Sequence, residues 1–201
     1  MKRLNEMLKE QERITCMLAV YEKNMGNCTK MVFQNGREIL LKQSVDSTLQ
    51  AILKYHTIDL KKLRKKQQKL LNSRYYIPLP ISKDTLFICI KTRLPKVKKD
   101  SSVSYINFYE IDRLDKKHPI IYMKNGYKIE SLNSITTLKK RYHQGEISAK
   151  LQIGQQKQSL LVEEETAKYF YPATKGDIKA ISREIESLRD MLKNVLVAEK
   201  Q

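Results

Sequence analysis

Tryptophan is absent from this 201-residue chain, and glycine (six), proline (five) and cysteine (three) are scarce. Each shortage excludes something. With six scattered glycines there is no glycine-rich loop to cradle a phosphate. Cys16, Cys28 and Cys89 are odd in number and widely spaced, which argues against a disulfide framework or a zinc knuckle and suits a reducing cytosol. His56, His118 and His143 stand alone, without a second His, Cys or acid at metal-ligand spacing, so no metal or other cofactor is expected. No serine nucleophile elbow appears, and the chain does not read as an enzyme. Long apolar runs are missing too: "LFICI" at residues 86–90 is strand length and far short of a membrane span. The opening "MKRLNEMLKEQERI" carries both signs of charge and no apolar signal core, so no secretion signal is expected.

Acids are the other shortage. Against 39 Lys and Arg there are 22 Asp and Glu, a net charge of +17. Such an imbalance repels itself unless a polyanion is near. Nucleic acid is the leading partner and an anionic membrane surface the second. The excess is local. Residues 57–99 hold thirteen Lys and Arg but only two acids, Asp59 and Asp84, so eleven of the seventeen net charges lie in about a fifth of the chain. One cluster is Lys61, Lys62, Arg64, Lys65, Lys66 and Lys69, continued by Arg74; the other is Lys91, Arg93, Lys96, Lys98 and Lys99. On a helix Lys61, Lys65 and Lys69 form one stripe, and no acid stands four residues away to neutralise it. A charge run is usually a solvated face, but usually with mixed signs; a one-signed run suits phosphate contact. Lysine suits sequence-independent contact, whereas Arg64, Arg74 and Arg93 suit bidentate contacts or entry into a narrow A·T minor groove.

Apolar spacing sets out an α+β chain rich in antiparallel strands and hairpins. Leu4, Met7 and Leu8 predict a short helix within residues 1–12. "RITCMLAVYE", "TKMVFQ" and "REILLK" read as strands, the last two joined by Asn35-Gly36, a strong type I′ hairpin signal. "SVDSTLQAILKYH" and "TIDLKKLRKKQQKLLN" read as helices, the second capped by Thr57 or Asp59 and burying Leu60, Leu63 and Leu70. Pro78 and Pro80 confine "YYIPLPIS" to an edge or extended segment, and "TLFICIK" reads as an inner strand. "VSYINFYEI" reads as one strand, and "IIYMK" and "YKIESL" form a hairpin at Asn125-Gly126. "SITTLKKRYHQG" reads as a short helix stopping at Gly145, with His143 near its C-terminus. Residues 146–172 show no clear period. A last helix is expected from Thr174, with Thr174 and Asp177 at capping spacing.

The two hairpins align at an offset of ninety residues: Asn35 with Asn125, Gly36 with Gly126, Ile39 with Ile129, Ser44 with Ser134. Either one ββα unit is present twice, or hairpin and helix chemistry has converged. The tips, Asn35, Arg37, Lys124 and Asn125, are candidate groove contacts. Eleven tyrosines also stand out. Tyr75, Tyr76, Tyr105, Tyr109 and Tyr127 could stack on unpaired bases or fill a half-buried sheet face.

In the last helix Ile178, Ile181, Ile185, Leu188, Leu192 and Val195 repeat at three and four residues, an a/d heptad stripe. Glu184 then falls at g and Arg189 at the following e. The stripe either joins two copies of the chain or folds onto its own domain. The chain thus divides into an N-terminal helix (1–12), a binding domain (13–172) and a terminal amphipathic helix (173–201).

Across residues 17–145, "LRKKQQKLLNS" leading into "YYIPLPI", then "TLFICIKTR", "VSYINFYEIDRL" and "IIYMKNGYKIESLNSITTLKKRY", the chain resembles the ComK family of competence transcription factors. Arg64 and Lys65 stand at the family's basic pair, Pro80 and Ile81 at its edge segment, and Phe87, Thr92 and Arg93 at its aromatic strand. Ser134 stands where its post-hairpin helix opens. Leu63 replaces the family's glycine, its tryptophan is missing, and the helix from Thr174 has no counterpart in its tail. The resemblance implies a cytoplasmic, nucleoid-associated activator of competence-type genes. It would bind double-stranded DNA at A/T-rich boxes largely through the minor groove, as a homodimer or higher oligomer, with RNA polymerase as a further partner. The alternatives are a LytTR-like regulator reading the major groove, an RNA- or ribosome-binding module, and a phage or plasmid interaction protein with a basic face.

Overall fold

The computed structural model describes residues 12–98, 100–170 and 175–198; side chains are described to residue 154, save Lys99, and from 175 to 191, save Asp177. The helix expected over residues 1–12 lies outside these, apart from Glu12. The fold is α+β. In order it runs β1 (Ile14–Glu22), β2 (Gly26–Phe33), β3 (Glu38–Leu41), α1 (Val45–Tyr55), α2 (Leu60–Leu71), β4 (Leu79–Ser82), β5 (Thr85–Lys91), β6 (Val103–Asn107), β7 (Ile111–Leu114), β8 (Ile120–Met123), β9 (Lys128–Glu130), α3 (Ile135–Phe170) and α4 (Lys175–Ala198). The chain divides into compact units of residues 1–154 and 155–201, and all strands lie in the first.

Six strands form one antiparallel sheet in the order β3-β2-β1-β6-β5-β4, and β7-β8-β9 form a second. Strand alternation sends side chains to opposite faces, and both faces of the large sheet are covered. Met17, Ala19, Phe87, Cys89 and Tyr105 face Leu49, Ile52 and Leu53 of α1, with Leu60 and Leu63 of α2 against the same core. Cys16, Ile88, Ile90 and Ile106 face Ile121, Met123 and Ile129 of the small sheet and Leu138 of α3. Two-sided burial is why "TLFICIK" is nearly apolar: β5 is an inner strand, and β4, with Pro80, is the edge.

The hairpin units match in detail. Gly36 N donates to Phe33 O (3.0 Å) and Gly126 N to Met123 O (2.9 Å); Phe33 N donates to Arg37 O (3.0 Å) and Met123 N to Tyr127 O (2.9 Å). Each turn asparagine accepts from the amide two residues on, Arg37 N to Asn35 Oδ1 and Tyr127 N to Asn125 Oδ1, both 3.0 Å. Gly36 and Gly126 have φ of 81° and 83°, a region closed to most other residues. Val32 pairs with Glu38 and Met31 with Ile39, as Tyr122 pairs with Lys128 and Ile121 with Ile129. The following helices are capped alike: Ser47 N donates to Ser44 Oγ (3.2 Å) and Thr137 N to Ser134 Oγ (3.3 Å). The correspondence extends to the preceding strand, where Ile14 opposite Phe33 and Ile111 opposite Met123 each stand beside a bulge. The β1-β2 arm is longer than β7-β8, so β1 and β7 align at ninety-seven residues instead of ninety. The two stretches therefore share a three-stranded meander followed by a helix.

Several expectations are overturned. "VSYINFYEI" is not one strand: β6 ends at Asn107, a 3-10 turn spans Phe108–Glu110, and β7 starts in the other sheet. Leu70 is exposed at 42%, and Gln67, 5% exposed, takes the buried place on α2. Gln67 Oε1 accepts from the buried Ser148 hydroxyl at 3.2 Å, a polar seam that hydropathy could not show. The α3 helix does not stop at Gly145. It continues to Phe170, taking in most of the stretch without a clear period, and His143 lies well inside it, beside Glu146 at 3.0 Å. Gly145 is buried, and a Cβ there would sit 2.6 Å from Phe108 Cδ2 and 3.0 Å from Ile88 Cγ2. This glycine permits close helix-to-sheet packing; it is not a terminator.

Replacing Gly145 by Ala is expected to cost about 1–3 kcal/mol through overpacking. At the exposed helical Gly154, where a Cβ meets nothing within 4 Å, the same change should stabilise by about 0.4–1 kcal/mol. Urea midpoints of the two variants check this. Alkaline pH is a second probe. Burial pushes the Cys89 thiol from its ordinary 9.0 up to about 12, and raises Cys16 and Tyr105 as well. The folded state keeps these protons where the unfolded chain releases them. Stability is therefore full below pH 9 and falls as pH climbs towards 12. Urea melts from pH 8 upward should show the decline, and Cys89→Ala should lessen its slope.

Candidate nucleic-acid interface

The basic helix α2 opens on Asp59, whose Oδ1 accepts from Lys62 N at 3.0 Å. Backbone amides and the Lys61 and Lys62 charges hold this carboxyl below its usual range. Leu60, Leu63 and Gln67 turn inward, at helical spacing. Lys61, Lys62, Arg64, Lys65, Lys66 and Lys69 are left on the exposed side. No ion pair joins Lys61, Lys62, Arg64, Lys65 or Lys69 to an acid among the described residues. Lys61 and Lys62 stand in the first turn, which holds no acidic residue, where the helix dipole already presents positive charge. A face this one-signed is electrostatically costly in isolation and favourable against a polyanion.

Beside α2 lies a cleft of about 410 Å³, lined among others by Asp46 of α1, Arg64 and Gln68 of α2, Arg74, Tyr75 and Tyr76, and Val103 and Tyr105 of β6. The 73–77 segment is held from both sides. Gln68 Nε2 donates to Arg74 O (2.8 Å), Arg141 Nη1 to Tyr75 O (3.1 Å) and Tyr76 O (3.3 Å), and Gln144 Nε2 to Ser73 Oγ (3.2 Å). The Arg141 guanidinium also lies 4.9 Å from the Tyr76 ring centre. Tyr75 is left 73% exposed. The tyrosines therefore divide: Tyr105 fills the core at 3% exposure, while Tyr75 is free to stack. Asp46 and Arg141 had no sequence signal, because both come from elements distant in the chain.

The second basic cluster is a loop whose arginine works as a strut. Arg93 donates Nε to Ser101 O (2.9 Å), Nη1 to Val20 O (2.8 Å) and Nη2 to Asn27 Oδ1 (2.7 Å), and its guanidinium stacks 4.1 Å from the Tyr21 ring centre. Asp100 binds Tyr21 and Asn27 at 2.5 and 3.0 Å. So anchored, the loop presents exposed Leu94, Lys96, Val97 and Lys98; Lys99 lies outside the described residues. Lys96 Nζ stands 4.8 Å from the Tyr21 ring centre, and Lys91 Nζ 5.9 Å from that of Tyr76.

The hairpin tips are chemically alike but differently placed. Asn35 and Arg37 are exposed, with Arg37 paired to Glu12 at 2.9 Å. Asn125 is docked: its Nδ2 donates to Phe33 O at 2.8 Å, next to the first hairpin, and only Lys124 of that pair is exposed. In the unit of residues 155–201, Ile178, Ile181, Ile185, Leu188 and Met191 of α4 are each 57–62% exposed. The side chains of Leu192 and Val195 lie outside those described.

No protein-family model, curated protein or solved structure matches this chain. The residues alone carry the reading.

Replacing Arg93 by Gln removes the fork and the ring contact while the loop stays exposed. Amide hydrogen exchange over residues 93–101 should quicken by about tenfold or more, whereas β5 and β6 should keep their protection.

Proposed function

We propose that the protein is a duplex-DNA-binding transcriptional regulator that grips the phosphate backbone with the outer face of α2. The observation carrying this reading is the exposed row Lys61, Lys62, Lys65 and Lys69, which has no acidic partner among the described residues. Lysine heads on flexible stems suit phosphates in any sequence, so affinity should depend steeply on salt. Arg64 and Arg74, whose side chains make no hydrogen bond or ion pair among the described residues, keep the groove-reading role they shared with Arg93, whose guanidinium is engaged at Ser101, Val20 and Asn27. The narrower statement, an activator at A/T-rich boxes of competence-type genes engaging RNA polymerase, rests on the ComK resemblance alone.

The protein acts as a dimer in this proposal, joined by α4. Ile178 and Ile185 at a, with Ile181 and Leu188 at d, suit a parallel pair of helices, and Glu184 meets Arg189 of the second copy across the g and e positions. The three-and-four spacing of these apolar residues along one face of α4 carries this part of the reading.

Changing Lys61, Lys62, Lys65 and Lys69 to Gln should weaken binding to all duplexes alike. It should also lower the slope of log affinity against log salt by up to about 3.5. An unchanged slope in fluorescence anisotropy would put the phosphate face elsewhere. For α4, Ile181→Asp with Ile185→Asp should convert a dimer to a monomer in sedimentation equilibrium. A monomeric parent would overturn that part.

A further inference from the structure

We propose that the cleft beside α2 is a binding site for a nucleoside phosphate whose base carries an exocyclic amine. It does not rest on the duplex reading, whose carrying observation is the lysine row; Arg64 and Arg74 enter both, and Asp46 and Tyr75 enter this one alone. The volume, about 410 Å³, lies in the range of small-molecule sites. Its lining has four chemistries, and together they describe the ligand. Ile77, Leu79, Cys89 and Tyr105 are buried to 7% exposure or less and offer apolar surface to a flat ring. Tyr75, 73% exposed, offers an open aromatic face for stacking. Arg64 and Arg74 bring two guanidiniums that make no side-chain hydrogen bond or ion pair among the described residues, which suits a phosphate. Asp46 adds a carboxylate whose one side-chain hydrogen bond among the described residues is from the Tyr105 hydroxyl at 3.4 Å. This long bond leaves it able to accept from an amine on a base edge.

The site is pre-organised. Tyr76 has a φ of 54°, a left-handed conformation unusual for a tyrosine. Arg141 maintains it through two carbonyls and the ring, and Gln68 fixes Arg74 O. Strained backbone held from outside is a familiar property of ligand sites. It also spares the ligand the entropy of ordering the segment. The nucleotide can be free or can be one splayed-out unit of a single strand; the recognition chemistry is shared.

The test is competition against a fluorescently labelled guanosine monophosphate, read by anisotropy on the full chain. GMP and AMP should compete. Guanosine and inorganic phosphate should each be about tenfold or more weaker than GMP, and UMP should be weaker than AMP. Arg74→Gln should weaken GMP about tenfold and leave guanosine unchanged. Tyr75→Ala should weaken both, and Asp46→Asn should narrow the gap between AMP and UMP. All three side chains are exposed, so unchanged thermal midpoints are expected. The α2 lysine variant should keep nucleotide affinity, so failure of the duplex reading and failure of this one are distinguishable. A short single-stranded oligonucleotide that outcompetes GMP, and loses affinity in the same variants, identifies the strand as the source; parity with GMP identifies the free nucleotide. No binding at about 1 mM, phosphate competing as well as GMP, or indifference to all three variants overturns the proposal.

Discussion

The architecture depends on one buried amide. Asn107 is fully buried where β6 ends. Its Nδ2 donates to Ile14 O (2.9 Å) and Asp84 O (3.0 Å), and its Oδ1 accepts from Leu86 N (3.2 Å) and Tyr109 N (3.3 Å). Those backbone groups belong to β1, to the β4-β5 turn and β5, and to the 3-10 turn. A strand leaving a sheet in the interior would orphan several of them, each costing about 1–3 kcal/mol. Asn107 satisfies them together, so the chain can leave the large sheet after five residues of β6 and begin the small one. That departure covers the second face of the large sheet, brings Phe108 against Gly145, and aims α3 along the β4 edge, where Gln152 Nε2 donates to Ser82 O (2.7 Å).

The candidate interface follows from this arrangement. With α3 laid along the edge, Arg141 and Gln144 reach the 73–77 segment and fix it. That segment forms one wall of the cleft whose other wall is α2. The positive residues thereby fall into two classes. Arg93 and Arg141 are absorbed as struts, each clamping a backbone turn and stacking on a tyrosine. The α2 lysines, with Arg64 and Arg74, remain outward. Charge counts cannot separate struts from contacts, because the difference lies in which carbonyls are within reach.

Much of the fold was legible from local chemistry. Asn-Gly turns, serine caps and strand alternation act within a few residues, and they located both hairpins, the β4 edge, the inner β5 strand and the starts of α1 and α2. The likeness of the two hairpin-helix stretches was legible too, since the Asn-Gly and Ser positions specify the same hydrogen bonds at both sites. The misreadings share a cause. Gly145 has a helix-stop residue's identity but a packing role set by Phe108 and Ile88, which no local pattern carries. Gln67 is buried because Ser148 meets it, and the "VSYINFYEI" run breaks because Asn107 has distant partners.

The sequence by itself determined the α+β composition, the two Asn-Gly hairpins each followed by a serine-capped helix, the concentration of positive charge between residues 57 and 99, and the heptad stripe near the end. These are local or compositional properties, fixed by spacing. Tertiary structure alone decided that Arg93 is an anchor, that the second hairpin tip docks on Phe33 O while the first is exposed and paired to Glu12, and that Asp46, Arg64, Arg74 and Tyr75 line one cleft. Those depend on contacts between residues far apart in the chain, where a hydrogen bond or ring contact exists only once the sheets and helices have been brought together.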